Sequence, residues 1–506
     1  MGGSRSIGVY ALVCILVASC STERGLDGAP SNGGAASTAS SAASTASSTT
    51  STAPEWVRPD ISTPGEEAAG VSPGESIQAA VDAAAEGDTI VIEPGMHRLQ
   101  TVEPKAGQTI AGAPGALMSG AMLLSEFSEV DGLWARDGIT AEGEIRGLCV
   151  DEQTACDLPE DLYIDGERIR RQRTLEAVDA ESWYLDYETD TLYLGRNPGE
   201  SVVELSVTPY AFGGGAENVT IQGLVIETYA SPAQRGAINA GRGWTILGNE
   251  IRFNHGAGLF PGSDSLVTDN YFHHNGQMAI DGGGEHSVYE SNEIAFNHLG
   301  DFSFEWGAGG VKFVHTTGLV LRDNFVHHNH GPGLWIDGYN VDTLFEGNRV
   351  IENFDAGIKI EISGSATVRD NLVVGNGFGN EFPPRGAGIM IRESGPVEVV
   401  GNELRANQEA LVLHHDNDRE NDTGNTLHGV LVHDNEIALD GGVVGYFGDI
   451  PFDAFETADL TFEENTYVGS DDEALFLDHG TQVRFDEWVE SGRDAGSTLS
   501  ATASSG

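Results

Sequence analysis

The chain repeats one short phrase, Asn249-Glu-Ile-Arg-Phe-Asn254, in which two asparagines flank an apolar residue. Further matches begin at Asn270, Asn292, Asn324, Asn348, Asn371 and Asn402, at intervals of 21, 22, 32, 24, 23 and 31 residues. A fixed period of roughly 22 residues is typical of a solenoid, in which each stacked unit buries its apolar face only against its neighbours. The two longer intervals indicate coils that carry inserts of roughly ten residues on one side.

Between the asparagines, apolar residues alternate with polar ones. Gly357-Ile-Lys-Ile-Glu361 and Val397-Glu-Val-Val400 show period two with β-branched residues, which indicates strands. Asn tolerates the left-handed backbone of a sharp turn, and its amide can bond the equivalent amide of the next coil. The sequence therefore predicts an all-β, right-handed parallel β-helix. Leucine-rich repeats have a similar period, but their Leu-x-x-Leu-x-Leu pattern is absent.

The two ends of the chain differ from the repeats. Residues 1–20 carry an apolar run too short to span a bilayer, ending in Val17-Ala-Ser-Cys20. This ending resembles the bacterial lipobox, and the resemblance implies that Cys20 is lipid-modified after export. We expect a disordered tether rich in Ser, Thr and Ala at residues 21–58 and a disordered tail at residues 494–506. The residue after Cys20 is Ser21 and not the aspartate that retains enteric lipoproteins at the inner membrane. We therefore expect the protein on the outer surface of a bacterial cell membrane.

Charge and cysteine content exclude several classes of partner. The net charge is −52 with three lysines in the chain, which argues against nucleic acid and anionic lipid and favours a monomer anchored only by its lipid. Cys149 and Cys156 are seven residues apart in an exported protein, so a disulfide is expected and a zinc site is not.

A second motif precedes the repeats. Residues 59–119 should form an N-terminal cap and the first coils, with a short helix from Ile77 to Ala85 feeding the strand Thr89-Ile-Val-Ile92. This opening, followed by the asparagine repeats, resembles the pectate-lyase-like superfamily of right-handed β-helices over roughly residues 70–480. The solenoid repeats themselves should occupy residues 201–493.

Residues 120–200 interrupt the repeat and predict a small antiparallel β subdomain with turns at Asp165-Gly166 and Glu188-Thr-Asp190. The phrase Ser182-Trp-Tyr-Leu-Asp with Leu192-Tyr-Leu194 is similar to inserts in β-helix glycoside hydrolases of families 120 and 141. The subdomain either walls a cleft or consists of two aromatic hairpins without chemistry of their own. We favour the wall.

Aligning the coils on their asparagines places two columns of side chains on the outside of one sheet. The first column contains Asp337, Glu361, Arg392 and His414. The adjacent column contains Lys312, Trp335, Lys359 and Met390. Coils stack about 4.8 Å apart, so the two carboxylates should be neighbours.

Two adjacent carboxylates are typical of retaining glycosidases, whose carboxyl groups lie about 5–5.5 Å apart. Gly333-Leu-Trp-Ile-Asp337, followed by Ile360-Glu361, resembles the motifs of glycoside hydrolase family 120. The resemblance implies that Asp337 is the nucleophile and Glu361 the acid/base, acting on a plant- or algal-type glycan. Repulsion between the two carboxylates should raise one pKa, while Arg392 opposes that rise.

The other candidate residues would bind the substrate. Trp335 offers a flat face for a sugar ring, and Glu305 lies in the first long insert, which could lean over the column. The remaining substrate-binding candidates are cationic or imidazole side chains, namely Lys312, Lys359, Arg392 and His414.

Two other functions remain open. A polysaccharide lyase would use a basic residue such as Lys312, Lys359 or Arg392, and a surface glycan-binding solenoid would show no turnover. Mannuronan epimerases share the fold, but their Asp-Pro-His-Asp signature is absent. No cofactor is expected. Asp416-Asn-Asp418 is a loose cluster of oxygen ligands and is only weak evidence for a calcium site. The pairs His273-His274 and His327-His328 are better explained as turn residues without a function than as metal ligands.

Overall fold

The computed structural model describes Val57, Pro59 and residues 70–379, 386–416, 426–440, 442–448, 458–470, 473 and 475–500. The chain divides into two units, residues 1–55 and 56–506, and every described residue belongs to the second. The predicted signal, Cys20 and most of the predicted tether therefore lie outside the described residues. No helix within the described ranges is long and apolar enough to cross a membrane.

The body is a right-handed parallel β-helix, as the repeats predict, and the described residues form three long sheets along it. The first sheet contains Gly70–Val71, Thr89–Ile92, Thr109–Gly112, Thr220–Gln222, Thr245–Leu247, Leu266–Thr268, Val288–Glu290, Val320–Arg322, Thr343–Glu346, Ala366–Arg369, Val397–Val400, Val430–His433, Leu460–Glu463 and Asp494–Ala495. The second sheet contains Gly95–Arg98, Ala116–Ser119, Val225–Glu227, Glu250–Arg252, Tyr271–His273, Glu293–Ala295, Phe325–His327, Arg349–Ile351, Leu372–Val374, Glu403–Arg405, Glu436–Ala438, Thr466–Val468 and Thr498–Ser500. The third sheet contains Gly236–Asn239, Ala257–Phe260, Met278–Gly282, Gly309–Phe313, Leu334–Asp337, Ile358–Glu361, Ala387–Arg392, Glu409–His415, Val444–Gly448, Phe476–Asp478 and Thr481–Val483.

The core is a set of apolar columns, one residue per coil. In the third sheet Leu334 pairs in register with Ile358, and Ile358 with Ile389, and all three side chains are fully buried. Ile360 is also fully buried, so the predicted inward positions are confirmed. Full burial of such a side chain contributes about 1.5–3 kcal/mol, and repetition along the axis makes the solenoid stable coil by coil.

Both asparagines of the repeat form ladders along the solenoid. In one ladder Asn329 Nδ2 donates to Asn353 Oδ1 at 2.9 Å, and Asn353 Nδ2 donates to Asn376 Oδ1 at 3.0 Å. Each amide also donates to a main-chain carbonyl, as Asn353 does to Val326 O at 3.1 Å. The ladders thus satisfy buried polar groups at the corners, as predicted.

The repeated asparagines do not adopt the left-handed backbone that the sequence led us to expect for them. The left-handed residue at each corner precedes the asparagine, as His328 does at φ 52° and Glu352 at φ 53°. Asparagine is therefore selected for its amide and not for its backbone freedom. Close packing against the asparagine ladder also requires glycine near the start of the third-sheet strands. A Cβ on Gly357 or Gly388 would approach the Nδ2 of a ladder asparagine to 2.9 or 2.7 Å.

A helix at each end packs on the terminal coils. The first runs from Ile77 to Ala83, two residues shorter than predicted, and begins where the Ser76 hydroxyl accepts a hydrogen bond from Ala79 N at 3.1 Å. The second, Phe485–Glu490, was not predicted, and it buries Trp488 against aromatic side chains of the last coils. The prediction of a disordered tail from residue 494 is wrong up to residue 500, because Asp494–Ala495 and Thr498–Ser500 pair with the first and second sheets.

The insert is an eight-stranded sheet around its own core. Its strands, in spatial order, are Ala121–Leu124, Val203–Ser206, Leu162–Ile164, Glu167–Arg171, Ser182–Asp186, Thr191–Leu194, Leu133–Asp137 and Ser128–Val130. All neighbours are antiparallel except Glu167–Arg171 and Ser182–Asp186. The predicted turn at Asp165-Gly166 is present with both residues left-handed, and Cys149 and Cys156 form the predicted disulfide.

Buried polar contacts fasten the insert to the solenoid. Tyr163 OH donates to Phe253 O at 2.8 Å, and His255 Nδ1 lies 3.0 Å from Asp161 Oδ2. Burial would raise the pKa of Asp161, but Arg168 and His255 outweigh it and lower that pKa well below its usual range. The insert is therefore held in one position beside the first strands of the third sheet.

Candidate functional site

The predicted column lies on the outer face of the third sheet. Asp337 pairs in register with Glu361, Glu361 with Arg392, and Arg392 with His414. The adjacent column is also as predicted, with Lys312, Trp335, Lys359 and Met390 on successive strands. Strands in a sheet are about 4.8 Å apart, so the two columns bring two carboxylates and four basic side chains onto one small surface.

Each carboxylate of the pair contacts a lysine from the adjacent column. Lys312 Nζ lies 2.8 Å from Asp337 Oδ2, and Lys359 Nζ lies 2.9 Å from Glu361 Oε2. Glu361 has a second cation, because Arg392 Nη1 lies 3.4 Å from its Oε1. The Asp337 side chain is 19% exposed and that of Glu361 only 2%, so Asp337 is the more accessible carboxylate.

Trp335 does not present the open face that the sequence predicts. It is 1% exposed, and the ammonium groups of Lys312 and Lys359 lie 3.8 and 4.2 Å from its ring centroid. The two lysines come from the coils on either side of Trp335, and cation–π attraction holds them over the ring. The indole therefore positions the lysines that contact the carboxylates, and its interpretation as a sugar platform is wrong.

Arg392 contacts two carboxylates, those of Glu393 and Asp416, that the alignment of the coils did not predict. Its Nε lies 3.2 Å from Glu393 Oε2 and its Nη2 lies 3.2 Å from Asp416 Oδ2, in addition to Glu361. Glu393 is fully buried and left-handed at φ 40°, at the turn after the strand. Glu393 was not predicted from the sequence, since a glutamate at a turn is usually exposed.

His414 ends the column as a neutral imidazole. Burial and, second, the positive charge of Arg392 together lower the pKa of His414 to about 4. An uncharged ring at neutral pH can accept a proton, which a protonated one cannot.

Asp281 is a site residue that the sequence analysis missed. It pairs in register with Lys312 on the neighbouring strand and is 4% exposed. Burial raises the pKa of Asp281 to about 6, although the positive charges of Lys312, Arg146 and Arg235 oppose that rise. Its Oδ2 is buried and has no hydrogen-bond partner within the described part of the chain.

A signal for Asp281 was present in the sequence. Asp281 lies six residues after Asn275, the same offset that places Trp335 after Asn329. Counting by that offset in every coil, and not only in those near Asp337, would have found it.

Left-handed backbone follows both carboxylates. Gly338 has φ 68° after Asp337, and Ile362 has φ 48° after Glu361. This conformation is costly for a β-branched residue, and it is held by hydrogen bonds from Ile362 N to Arg392 O at 3.0 Å and from Tyr339 N to Ile362 O at 2.6 Å. The strands thus end sharply, and each carboxylate is the last residue of its strand.

The remaining candidates lie around this surface. Glu305 is exposed on the first long loop, which reaches the site through Trp306 O, the acceptor of a hydrogen bond from Lys312 Nζ at 3.3 Å. Residues 380–385 of the second long loop, and the second and third members of the acidic cluster that begins at Asp416, lie outside the described residues. Among the described residues, no group of three or more His, Cys, Asp or Glu side chains is arranged to hold a metal ion.

Comparison with known proteins identifies the fold. A family model described as "Right handed beta helix region" matches residues 237–404. The chain is similar to the solved complex of XylC with xylose, at 16% identity over 84% of this chain and 79% of that one, with a TM-score of 0.56. It also matches the catalytic unit of a GH87 α-1,3-glucanase from Streptomyces thermodiastaticus strain HF3-3, at 12% identity over 88% of this chain and 69% of that one, with a TM-score of 0.48.

A third similar structure is the A-module of the mannuronan C-5 epimerase AlgE4 from Azotobacter vinelandii. It matches at 14% identity over 84% of this chain and 92% of that one, with a TM-score of 0.45. None of the curated proteins matches the chain. The family model and the similarity to XylC show that the chain has the architecture of a right-handed parallel β-helix.

Proposed function

We propose that the protein is a carbohydrate-active enzyme, and specifically a retaining glycoside hydrolase. The observation that carries this proposal is the in-register pairing of Asp337 with Glu361 on adjacent strands. A strand spacing of about 4.8 Å brings the two carboxyl groups close to the separation of about 5–5.5 Å found in retaining enzymes, and leaves no room between them for the water that an inverting enzyme needs.

Asp337 is the proposed nucleophile because it is the more exposed carboxylate and contacts only one lysine. Its oxygen would attack the anomeric carbon while the bond from that carbon to the leaving oxygen breaks. Glu361 would give its proton to the leaving oxygen. In the second half of the reaction Glu361 would take a proton from water, and that water would release the sugar from Asp337.

Glu361 must be protonated before it can donate a proton to the leaving oxygen. Lys359 and Arg392 both contact it, and two nearby cations favour the charged carboxylate over the neutral acid. Substrate binding would therefore have to move at least one of these cations away before Glu361 can donate a proton. Lys359 is the better candidate to move, because Arg392 is also held by Glu393 and Asp416.

The proposed substrate is a neutral glycan of plant or algal type. The net charge of −52 opposes binding of a polyanion, and the two carboxylates stand at the centre of the site. The XylC structure contains xylose, which makes xylose-based glycans a sensible first group to test.

A polysaccharide lyase is a second candidate, and His414 favours it. A neutral imidazole beside Arg392 could remove a proton next to a uronate while the guanidinium binds the carboxylate of that sugar. A third candidate is a surface solenoid that binds glycan and turns nothing over.

One assay separates the three functions. Neutral and uronate-containing glycans are incubated with the wild type and with Asp337→Asn, and reducing ends and ultraviolet-absorbing unsaturated ends are measured. A hydrolase gives reducing ends alone and loses them in the variant. Unsaturated ends from a uronate substrate would identify a lyase, and absence of both products on every glycan would leave the binding function.

The location is also a proposal. We propose that Cys20 carries a lipid and that the solenoid is displayed as a monomer on the outer surface of a bacterial cell, where polymeric glycans are accessible. The lipobox-like Val17-Ala-Ser-Cys20 and the small polar residues that follow it support this location.

A further inference from the structure

A cavity lies on the same face of the solenoid, away from the acidic pair. It has a volume of about 750 Å³ and lies between the insert and the first strands of the third sheet. The side chains that decide its chemistry are Glu142 and Glu144 from the insert side, Tyr210 from the connection, and Arg235, Asn239 and Phe260 from the solenoid. A cavity of this size with aromatic walls and a few polar groups is typical of a small-molecule site.

The cavity is built by both parts of the protein. Gly143 N donates to Glu160 Oε1 at 2.6 Å, which holds the segment carrying Glu142 and Glu144 against the core of the insert. On the solenoid side, Asn239 pairs in register with Phe260 on the next strand. The hydrogen bonds that fasten the insert to the solenoid therefore also fix the width of this cavity.

The cavity and the proposed catalytic site lie along the same outward column of the third sheet. Phe260 lies one coil before Asp281, which is followed by Lys312 and Trp335 on the next two coils. Three steps of about 4.8 Å separate Phe260 from Trp335 by roughly 14 Å, and the side chains of Asp281 and Lys312 between them are buried. Asp281, with its unpartnered buried oxygen, stands between the cavity and the acidic pair.

The ring of Phe260 lines the cavity. It is half-buried, and the guanidinium of Arg235 lies 5.1 Å from the ring centroid. The ring lies close to Gly282 on the next coil, where a Cβ would come within 2.8 Å of Cε2 of Phe260. Glycine at that position therefore lets the ring extend along the column toward Asp281.

The polar groups indicate a neutral ligand. The cavity contains two carboxylates and one guanidinium, which suits hydroxyl groups that both donate and accept, and it opposes a polyanion. The apolar face of a sugar ring would pack on Phe260, while its hydroxyls would bond to Arg235, Asn239 and the glutamates.

We propose that this cavity binds a neutral oligosaccharide. Binding in the cavity is independent of turnover at Asp337. The proposal gives the insert a role, which is to close one side of the glycan site.

The test uses the full chain carrying Asp337→Asn, so that turnover cannot remove the ligand. Binding of xylotetraose, cellotetraose, mannotetraose and tetragalacturonate is measured by calorimetry, with and without Phe260→Ala. At least one neutral tetrasaccharide should bind, and Phe260→Ala should weaken it about tenfold or more, as expected for loss of a stacking ring. Phe296→Ala, at the turn that follows the second-sheet strand Glu293–Ala295, is the matched control and should leave affinity unchanged.

Phe260→Leu guards against a folding defect, because it keeps apolar volume and removes only the ring. It should weaken binding as well, with the thermal midpoint close to that of the parent. The proposal is overturned if no neutral tetrasaccharide binds, if tetragalacturonate binds best, or if both Phe260 variants bind as the parent does. Loss of binding in these variants without any hydrolysis by the wild type would reject the proposed function and keep the cavity site. Hydrolysis that depends on Asp337, together with unchanged binding in both Phe260 variants, would keep the proposed function and reject the cavity site.

Discussion

Replacing Asp281 with Asn should make the protein more stable at neutral and alkaline pH. Asp281 is buried, and burial raises its pKa from 3.8 to about 6, so the folded state holds the proton more tightly than the unfolded state does. The stabilisation from that proton is complete below the unfolded pKa and is lost as pH rises through the folded pKa. The full difference corresponds to roughly 3 kcal/mol, of which roughly 2.4 kcal/mol is lost between pH 4 and pH 8.

Asparagine keeps the shape of the side chain and never carries the charge. Lys312 keeps an ion partner in the variant, because its Nζ lies 2.8 Å from Asp337 Oδ2. The Asp281→Asn protein should therefore match the wild type near pH 4 and exceed it by up to about 2.4 kcal/mol in the free energy of unfolding at pH 8.

Urea unfolding of both proteins at pH values from 4 to 8 measures this difference. Asp82→Asn is the control, since Asp82 is exposed on the N-terminal helix and should give a difference that is small and flat with pH. A difference between wild type and Asp281→Asn that does not change with pH, or a variant that is less stable at pH 8, would refute the reasoning about this buried carboxyl group.

Other predictions follow from the site and from the ends of the chain. Asp337→Ala should lower kcat/KM on the best neutral glycan by at least about 10³-fold without a change in the circular dichroism spectrum. Glu361→Ala should slow natural glycosides by about 10²–10⁴-fold and activated aryl glycosides far less, because only the former need proton donation; equal losses would contradict its role as acid. Changing Cys149 and Cys156 to Ser should destabilise the insert by about 2 kcal/mol, since the disulfide closes a short loop, and calorimetry of the two proteins measures this. Cys20→Ala should move the protein from the membrane to the soluble fraction, and unchanged fractionation would argue against a lipid anchor.

The sequence predicted those features that depend on position within a coil. The spacing of Asn329 and Asn353 fixes the register, and the register alone places Glu361 beside Asp337. Strand pairing in a solenoid repeats at every coil, so one correct alignment predicts the columns on either side of it.

The sequence did not predict features that depend on side-chain conformation. Trp335 was in the expected column, yet the two lysines fold over its ring and remove it from solvent. Long cationic side chains have many conformers, and a sequence does not show which nearby carboxylate or ring each one contacts. The stacking of Phe260 near Gly282 likewise depends on packing between coils.

The configuration of the first sugar released tests the central claim most directly. The wild type is mixed with a glycan that it cleaves, and proton NMR follows the anomeric signals before mutarotation. If Asp337 and Glu361 act as a pair on adjacent strands, the first product should retain the configuration of the bond that was cut. An inverted first product would contradict the pair as nucleophile and acid/base, and so would a retained product still formed by Asp337→Ala at the wild-type rate.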